Sequence, residues 1–109
     1  MPKFPVMKKA RGMQQPFRPL EVTDIDTGYH AFIERYRGDY ITHSHSDDEF
    51  VYIIEGAITM EMDSQTVEVR QGEALLIPAG QQHRPRCKNM ALALVVEKKG
   101  LQKQMENNG

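Results

Sequence analysis

Short stretches of alternating apolar and polar residues, separated by turns that contain glycine or proline, occupy most of this chain. Within residues 29–37 the alternation places one set on a common face: His30, Phe32, Glu34 and Tyr36. Comparable stretches follow at residues 57–63, 66–70, 74–77 and 90–96. Nothing between residues 21 and 97 has a sustained helical period. Short strands with regular turn signals predict an all-β sandwich or barrel.

The stretch from Gly38 to Gly56 predicts the central strand of this fold. Its run Phe50–Ile54 is entirely aromatic or β-branched, which favours a strand. Gly56 then predicts a hairpin turn. Further along, Pro78-Ala79-Gly80 predicts a tight turn before an extended segment that begins at His83.

The chain has 109 residues, enough for one domain with a single core. We divide it into a proline-rich basic arm at residues 1–20, a barrel at 21–97 and a polar tail at 98–109. The arm holds four of the six prolines, which disfavour helix and interior strand. Two interpretations of the arm stay open: a solvated segment, or a segment that crosses onto a partner subunit and is pinned by Phe17 and Leu20. For the tail we expect at most one frayed helical turn.

Composition limits where the protein acts and what it binds. A net charge of −1 argues against a nucleic-acid-binding domain. The longest apolar run, residues 90–96, is far shorter than a membrane span, and no secretory signal is evident. The single cysteine, Cys87, excludes an intrachain disulfide and fits a reducing compartment. We therefore expect a cytoplasmic protein with no nucleic-acid or membrane partner.

Three histidines and one glutamate lie where the predicted strands can bring them together: His43, His45, Glu49 and His83. Residues two apart on a strand point to the same side, so His43 and His45 should project together if this segment is extended. Glu49 follows four residues later, and His83 follows the Pro-x-Gly turn. Neutral imidazoles with a carboxylate suit a first-row transition metal. Buried on a barrel wall without such a partner, these groups would be costly.

Other polar residues near the motif have more ordinary interpretations. We interpret His30 as a surface or hydrogen-bonded core residue, and Asp48 as the lesser candidate for the carboxylate ligand. Alternation turns Arg84 and Arg86 away from the His83 face. Cys87 is interpreted as a small buried residue.

The spacing of these residues resembles that of the cupins, small barrels built as a double-stranded β-helix, or jelly roll. The first cupin motif corresponds to Gly38, His43, His45, Glu49 and Gly56, and the second to Gly72, Pro78, Gly80 and His83. Fifteen residues separate the two motifs, as in small single-domain members. Two departures occur: four residues instead of five precede His43, and Cys87 stands where asparagine is expected.

The resemblance implies one divalent transition metal ion per chain (Mn, Fe, Ni, Zn or Cu), held by His43, His45, Glu49 and His83. With one carboxylate ligand the site would carry a charge near +1, which favours an anionic or enolisable oxygen ligand at the open metal positions. The implied function is a small metalloenzyme of dioxygenase, lyase or isomerase type acting on a small polar or anionic metabolite. A non-catalytic metabolite-binding or sensing module is the alternative, and a metal-free epimerase a weaker one.

Two further expectations concern labels and assembly. Proteins of this kind are often labelled as resembling mannose-6-phosphate isomerase, but this sequence shows no lysine or arginine cluster to hold a phosphate. The outward apolar face formed by Phe50, Tyr52 and Ile54 would suit a homodimer.

Overall fold

The fold is described from a computed structural model, for residues 3–101 and 104–105. One short helix precedes the strands: α1 (Val6–Arg11). The strands are β1 (Leu20–Ile25), β2 (Tyr29–Asp39), β3 (His43–Ser44), β4 (Glu49–Glu55), β5 (Ala57–Met62), β6 (Gln65–Arg70), β7 (Ala74–Ile77), β8 (His83–Lys98) and β9 (Gln104–Met105). The predicted all-β class is confirmed.

The nine strands form one continuous sheet, and the long strand β8 links its two halves. The second half of β8 lies between β2 and β4, and β1 and β7 extend this part of the sheet on either side. Its first half pairs with β3 and β5, which continue to β9 and β6. The two halves meet at residues 88–90, where β8 carries extra residues opposite the segment of β2 between Tyr36 and Gly38. A bulge of this kind bends the strand that contains it, which allows β8 to pass from one half of the sheet to the other.

The alternation predicted from sequence separates an inner and an outer core. Ala91, Ala93 and Val95 of β8 pack in the barrel interior with Ile58 and Met60 of β5. The intervening Leu92 faces outward and joins a second cluster on the barrel's outer surface. Both faces of β8 are therefore buried in this region, which explains its nearly continuous apolar run.

Part of the N-terminal segment packs on this chain's own barrel, and it contains a short helix although its prolines disfavour one. Pro5 stands at the N-cap of α1, where no N–H is needed for the helix, and its carbonyl accepts a hydrogen bond from the Lys9 N–H at 3.0 Å. Ala10 of α1 is buried against Ile33 and Leu92 of this chain's own barrel. Leu20, expected to pin the arm on a partner, packs in the same cluster. Phe17 packs against the interior cluster, and its N–H donates to the Arg35 carbonyl at 2.7 Å.

The tail has no helical turn at its described positions. Gln104 and Met105 form β9, which pairs with β3. Residues 102–103 and 106–109 of the predicted tail lie outside the described residues. None of the helices in the described part of the chain is long and apolar enough to cross a membrane.

Gly56 does not form the predicted hairpin. In the described structure β4 pairs with β7 and β8, whereas β5 pairs with β6 and β8, so the chain changes strand partners at this glycine. Its φ is +83°, and a Cβ placed there would lie 2.4 Å from the carbonyl oxygen of Met90. Both the backbone conformation and the close approach to β8 therefore require glycine.

We predict that Gly56→Ala destabilises the fold more than Gly72→Ala. Gly72 has a similar φ of +85°, but no atom of the described residues lies within 4 Å of the point that a Cβ would occupy. Its substitution therefore measures the cost of the backbone conformation alone. We expect Gly72→Ala to lower the free energy of unfolding by about 1 kcal/mol, and Gly56→Ala by about 3 kcal/mol. Urea unfolding of both variants measures this difference. Equal losses would show that the contact with β8 is unimportant.

Candidate metal centre

His43 and His83 face each other where β3 meets the start of β8. They are direct cross-strand partners, and their ring centroids are 4.2 Å apart. His45 lies just beyond β3, with its ring centroid 5.0 Å from that of His43. β3 ends at Ser44, one residue before the predicted position 45. The structure nevertheless brings the three rings together, and all three are buried.

Backbone contacts from the Pro78–Gly80 turn hold the segment after β3 in place. The Gly80 N–H donates to the His45 carbonyl at 2.8 Å, and the Ala79 N–H donates to Oδ1 of Asp48 at 2.8 Å. The Asp48 carboxylate thus fixes the turn and is absent from the residues that line the cavity. We therefore set Asp48 aside as a candidate metal ligand.

Two backbone carbonyls orient the imidazoles of His43 and His83. Nδ1 of His43 lies 2.9 Å from the Ile41 carbonyl, and Nδ1 of His83 lies 2.9 Å from the Gln81 carbonyl. A carbonyl can only accept, so each Nδ1 donates and each neutral ring keeps a lone pair on Nε2. Burial lowers the pKa of His83, and the nearby His45 lowers it further, while the bond to Gln81 partly opposes both. The neutral, metal-binding form is thereby favoured.

Glu49 lies between His45 and His83 without hydrogen bonding to either Nε2. Its Oε1 is 3.7 Å from Nε2 of His83, and its Oε2 is 3.8 Å from Nε2 of His45. Both distances are too long for a hydrogen bond. Nε2 of His83 is fully buried and has no hydrogen-bond partner among the described residues. A buried acceptor in this state is expensive unless something else occupies the gap.

The donor atoms form two overlapping groups that could hold a metal ion. One nitrogen from each of His43, His45 and His83 lies within 4.8 Å of the other two. Atoms of His45, Glu49 and Glu97 satisfy the same limit. All four residues predicted from sequence line the same cavity, with Glu49 in the second of these groups. Imidazole nitrogens with a carboxylate fit a divalent first-row metal.

These residues open into a cavity of about 440 Å³, a volume typical of small-molecule sites. Aromatic rings form much of its wall. The Phe17 ring stacks on Tyr40 with centroids 4.5 Å apart, and Tyr40 meets His43 edge-on at 5.3 Å. Tyr36 is buried and lines the cavity together with Tyr40, while Tyr52 faces outward.

Sequence reasoning did not identify three polar residues of this cavity: His30, Glu34 and Glu97. His30 is hydrogen-bonded, as expected, with Nδ1 donating to Glu21 at 2.8 Å, but it also lines the cavity. The signal was present in the alternation, which placed His30 and Glu34 on the same face as Phe32 and Tyr36. Glu97 likewise continues the inward series of β8 beyond Val95.

The carboxylates act together on Tyr36. Burial raises the pKa of Tyr36 well above its usual value, and the negative charges of Glu34, Glu49 and Glu97 raise it further. The Tyr36 side chain also hydrogen-bonds to Glu34. The cavity therefore stabilises a protonated phenol.

The remaining polar candidates lie away from the cavity. Arg84 pairs with Glu61 at 3.0 Å, and Arg86 pairs with Glu61 and Asp39, so both point outward as expected. Cys87 is buried in the interior cluster, and burial raises the pKa of its thiol. Its interpretation as a small core residue is confirmed.

Comparison with known families decides what this barrel is. Residues 36–97, more than half of the chain, match the family Cupin_2, described as the cupin domain. The chain belongs to the cupin domain family. The match includes all four residues of the candidate centre, and it also includes Glu97 at the end of β8.

Solved cupin structures confirm the jelly-roll barrel. A cupin-2 domain protein from Shewanella frigidimarina superimposes with a TM-score of 0.83 at 23% identity, covering 88% of this chain and 94% of that one. Hydroquinone 1,2-dioxygenase from Sphingomonas sp. TTNP3 gives a TM-score of 0.78 at 19% identity, covering 87% and 72%. At these identities the likeness shows the fold alone.

One curated relative is similar in sequence over part of its length. The tetracenomycin polyketide synthase protein TcmJ from Streptomyces glaucescens is 33% identical over 60 residues. The match covers 53% of this cupin and 40% of that relative, so this cupin spans less than half of its length.

Proposed function

We propose that this cupin is a metalloenzyme that binds one divalent transition metal ion through His43, His45, His83 and Glu49. The observation that carries the proposal is the buried Nε2 of His83, which faces Glu49 and lacks a hydrogen bond from any described residue. Backbone carbonyls already hold His43 and His83 in the ligating tautomer. Without a cation here, the lone pair on this nitrogen would stay buried without compensation.

A bound divalent ion would supply a Lewis acid that polarises or orients an oxygen ligand. The chain supplies the rest of the site. The Phe17–Tyr40 stack and the Phe32 side chain exclude water from one side of the cavity. Glu97 places a hydrogen-bond acceptor close to His45 and Glu49, within reach of a small ligand. The donor set alone does not select among Mn, Fe, Ni, Zn and Cu.

Glu97 favours an enzyme over a sensing module. A binding module needs only an exchangeable ligand and a complementary shape, whereas catalysis benefits from a polar group positioned beside the bound oxygen. Similarity to a polyketide synthase protein and to the fold of a dioxygenase supports small-molecule chemistry of this kind. None of the described residues lining the cavity is a lysine or arginine, so a sugar phosphate is not part of the proposal.

We also propose that the outer face of β4 and β7 forms a homodimer interface. Phe50, Tyr52 and Leu76 are 41%, 39% and 54% exposed, and Phe50 and Leu76 are direct cross-strand partners. Helix α1 covers the neighbouring part of this outer surface at Leu92 but not these three side chains. Within the described structure β7 pairs only with β4, so it leaves an edge that a second copy can meet symmetrically.

A cytoplasmic location remains a prediction. Cys87 is free and buried, and its Sγ lies 3.4 Å from the Ala57 carbonyl oxygen. A free thiol of this kind is typical of proteins from reducing compartments.

Metal retention tests the ligand assignment. We predict that the wild-type protein, loaded with Zn²⁺ or Mn²⁺ and passed over a desalting column, keeps about one ion per chain. His45→Ala should lower metal affinity at least about 100-fold, because removing a ligand exceeds the usual effect of disturbing a ligand's orientation. Elemental analysis and chelator competition measure both quantities.

His30→Ala is the matched control for this experiment. His30 lines the same cavity, but its Nδ1 is engaged by Glu21 and it is not a proposed ligand. This variant should retain the ion. Loss of metal from both variants alike, or no metal uptake by the wild type, would contradict the assignment.

Self-association tests the proposed interface. We predict that Leu76→Asp weakens dimerisation at least about 100-fold, because a carboxylate would be buried against an apolar surface. Ile25→Asp on β1 is the control, since Ile25 is also exposed (43%) and lies on another strand. Sedimentation velocity over a range of concentrations reports both. A monomeric wild type would disprove the interface.

A further inference from the structure

The cavity beside the candidate metal centre contains more negative charge than the ligand set alone provides. Glu34, Glu49 and Glu97 all line it, and none of its described residues is a lysine or arginine. His30 does not reverse this balance, because a proton on His30 would be matched by Glu21 at 2.8 Å. A divalent ion together with three carboxylates sums to −1. The sequence led us to expect an anionic ligand because only the charge of Glu49 was set against that of the metal ion.

Glu97 is placed to contact a ligand rather than another side chain. It lies on β8 as the cross-strand partner of both Glu49 on β4 and His30 on β2. Its Oε2 is buried and has no hydrogen-bond partner among the described residues. Its Oε1 lies 3.9 Å from Nε2 of His30, beyond hydrogen-bonding distance. A carboxylate oxygen can only accept, so this position calls for a donor from the ligand.

The walls between these carboxylates are aromatic and apolar. Phe17 meets Tyr36 edge-on at 5.8 Å and stacks on Tyr40 at 4.5 Å, and Phe32 and Met60 also line the cavity. Such walls favour a flat ring over a flexible polar chain. The Tyr36 hydroxyl, bonded to Glu34, shows that the cavity already accommodates one phenol hydroxyl against a carboxylate.

We propose that the ligand of this cavity is a neutral aromatic compound bearing a hydroxyl group, which donates a hydrogen bond to Glu97, and that anionic compounds are disfavoured. The inference rests on the proposed function, because it names the substrate class of that site. Glu97 acts here as a specificity-determining residue. The hydroxyl keeps its proton, and no bond is broken in this step.

Binding of three small probes tests the inference without any reaction. Phenol is neutral and donates a hydrogen bond, anisole lacks the donor, and benzoate is anionic. We expect zinc-loaded wild-type protein to bind phenol about tenfold or more tightly than either of the others, as measured by calorimetry or ligand-observed NMR. Benzoate binding as tightly as phenol, or no binding of phenol at millimolar concentration, would overturn the proposal.

The Glu97→Gln variant removes the negative charge of this side chain and keeps its size and shape. Phenol affinity should fall about tenfold, because a charge-assisted hydrogen bond is lost, while benzoate affinity should rise several-fold as repulsion is relieved. Glu68→Gln, an exposed carboxylate on β6, should change neither. Equal weakening of both ligands in Glu97→Gln would indicate a merely structural role and contradict the inference. The wild-type comparison stands by itself if this variant does not fold.

The same samples distinguish this inference from the proposed function. Metal-free protein should still prefer phenol over benzoate, since Glu34 and Glu97 remain. If the wild type binds no metal but shows this preference, the metalloenzyme proposal fails and the cavity inference stands. If metal is retained and benzoate is preferred, the cavity inference fails and the metalloenzyme proposal stands.

Discussion

The pairing of His43 with His83 is the constraint on which the rest of this structure depends. It occurs where β3 meets β8, and β8 is the strand that also pairs with β2, β4 and β5. The inward series of β8 begins at His83, fills the core at Ala91, Ala93 and Val95, and ends at Glu97. The residues that fill the core and those that line the cavity therefore depend on the same pairing register of β8. A slip of one residue would turn every member of this series to the opposite face.

This arrangement sets polar groups where an apolar core would be more stable. Nε2 of His83 and Oε2 of Glu97 are buried at the cavity end of the barrel without a hydrogen bond from the described residues, which is costly unless a ligand compensates. The barrel offsets this with a dense apolar layer below, including Val51, Ile53 and Val95, none of which is accessible to solvent. Buried polar atoms without hydrogen bonds are unfavourable in a well-packed barrel, and their presence here marks the region as a functional site.

Much of the barrel could be predicted because period-two alternation is a local property. The strand at residues 74–77 has the predicted bounds, and the inward face of β2 has the predicted members. The helix α1 was not predicted, since the prolines of this segment disfavour a helix. Its stability comes from packing on Ile33 and Leu92, which are distant in sequence. The role of Gly56 likewise depends on its contact with Met90. Glu97 was missed because its importance arises only from its neighbours across two strands.

X-ray absorption spectroscopy of the metal-loaded protein tests the central claim most directly, because it reports the atoms bound to the ion rather than the amount of ion retained. With the ion held as proposed, the spectrum of the wild type should show the multiple-scattering pattern of three imidazoles together with oxygen ligands, and His83→Ala should show two. A wild-type spectrum with oxygen ligands alone, or with a single imidazole, would contradict the account.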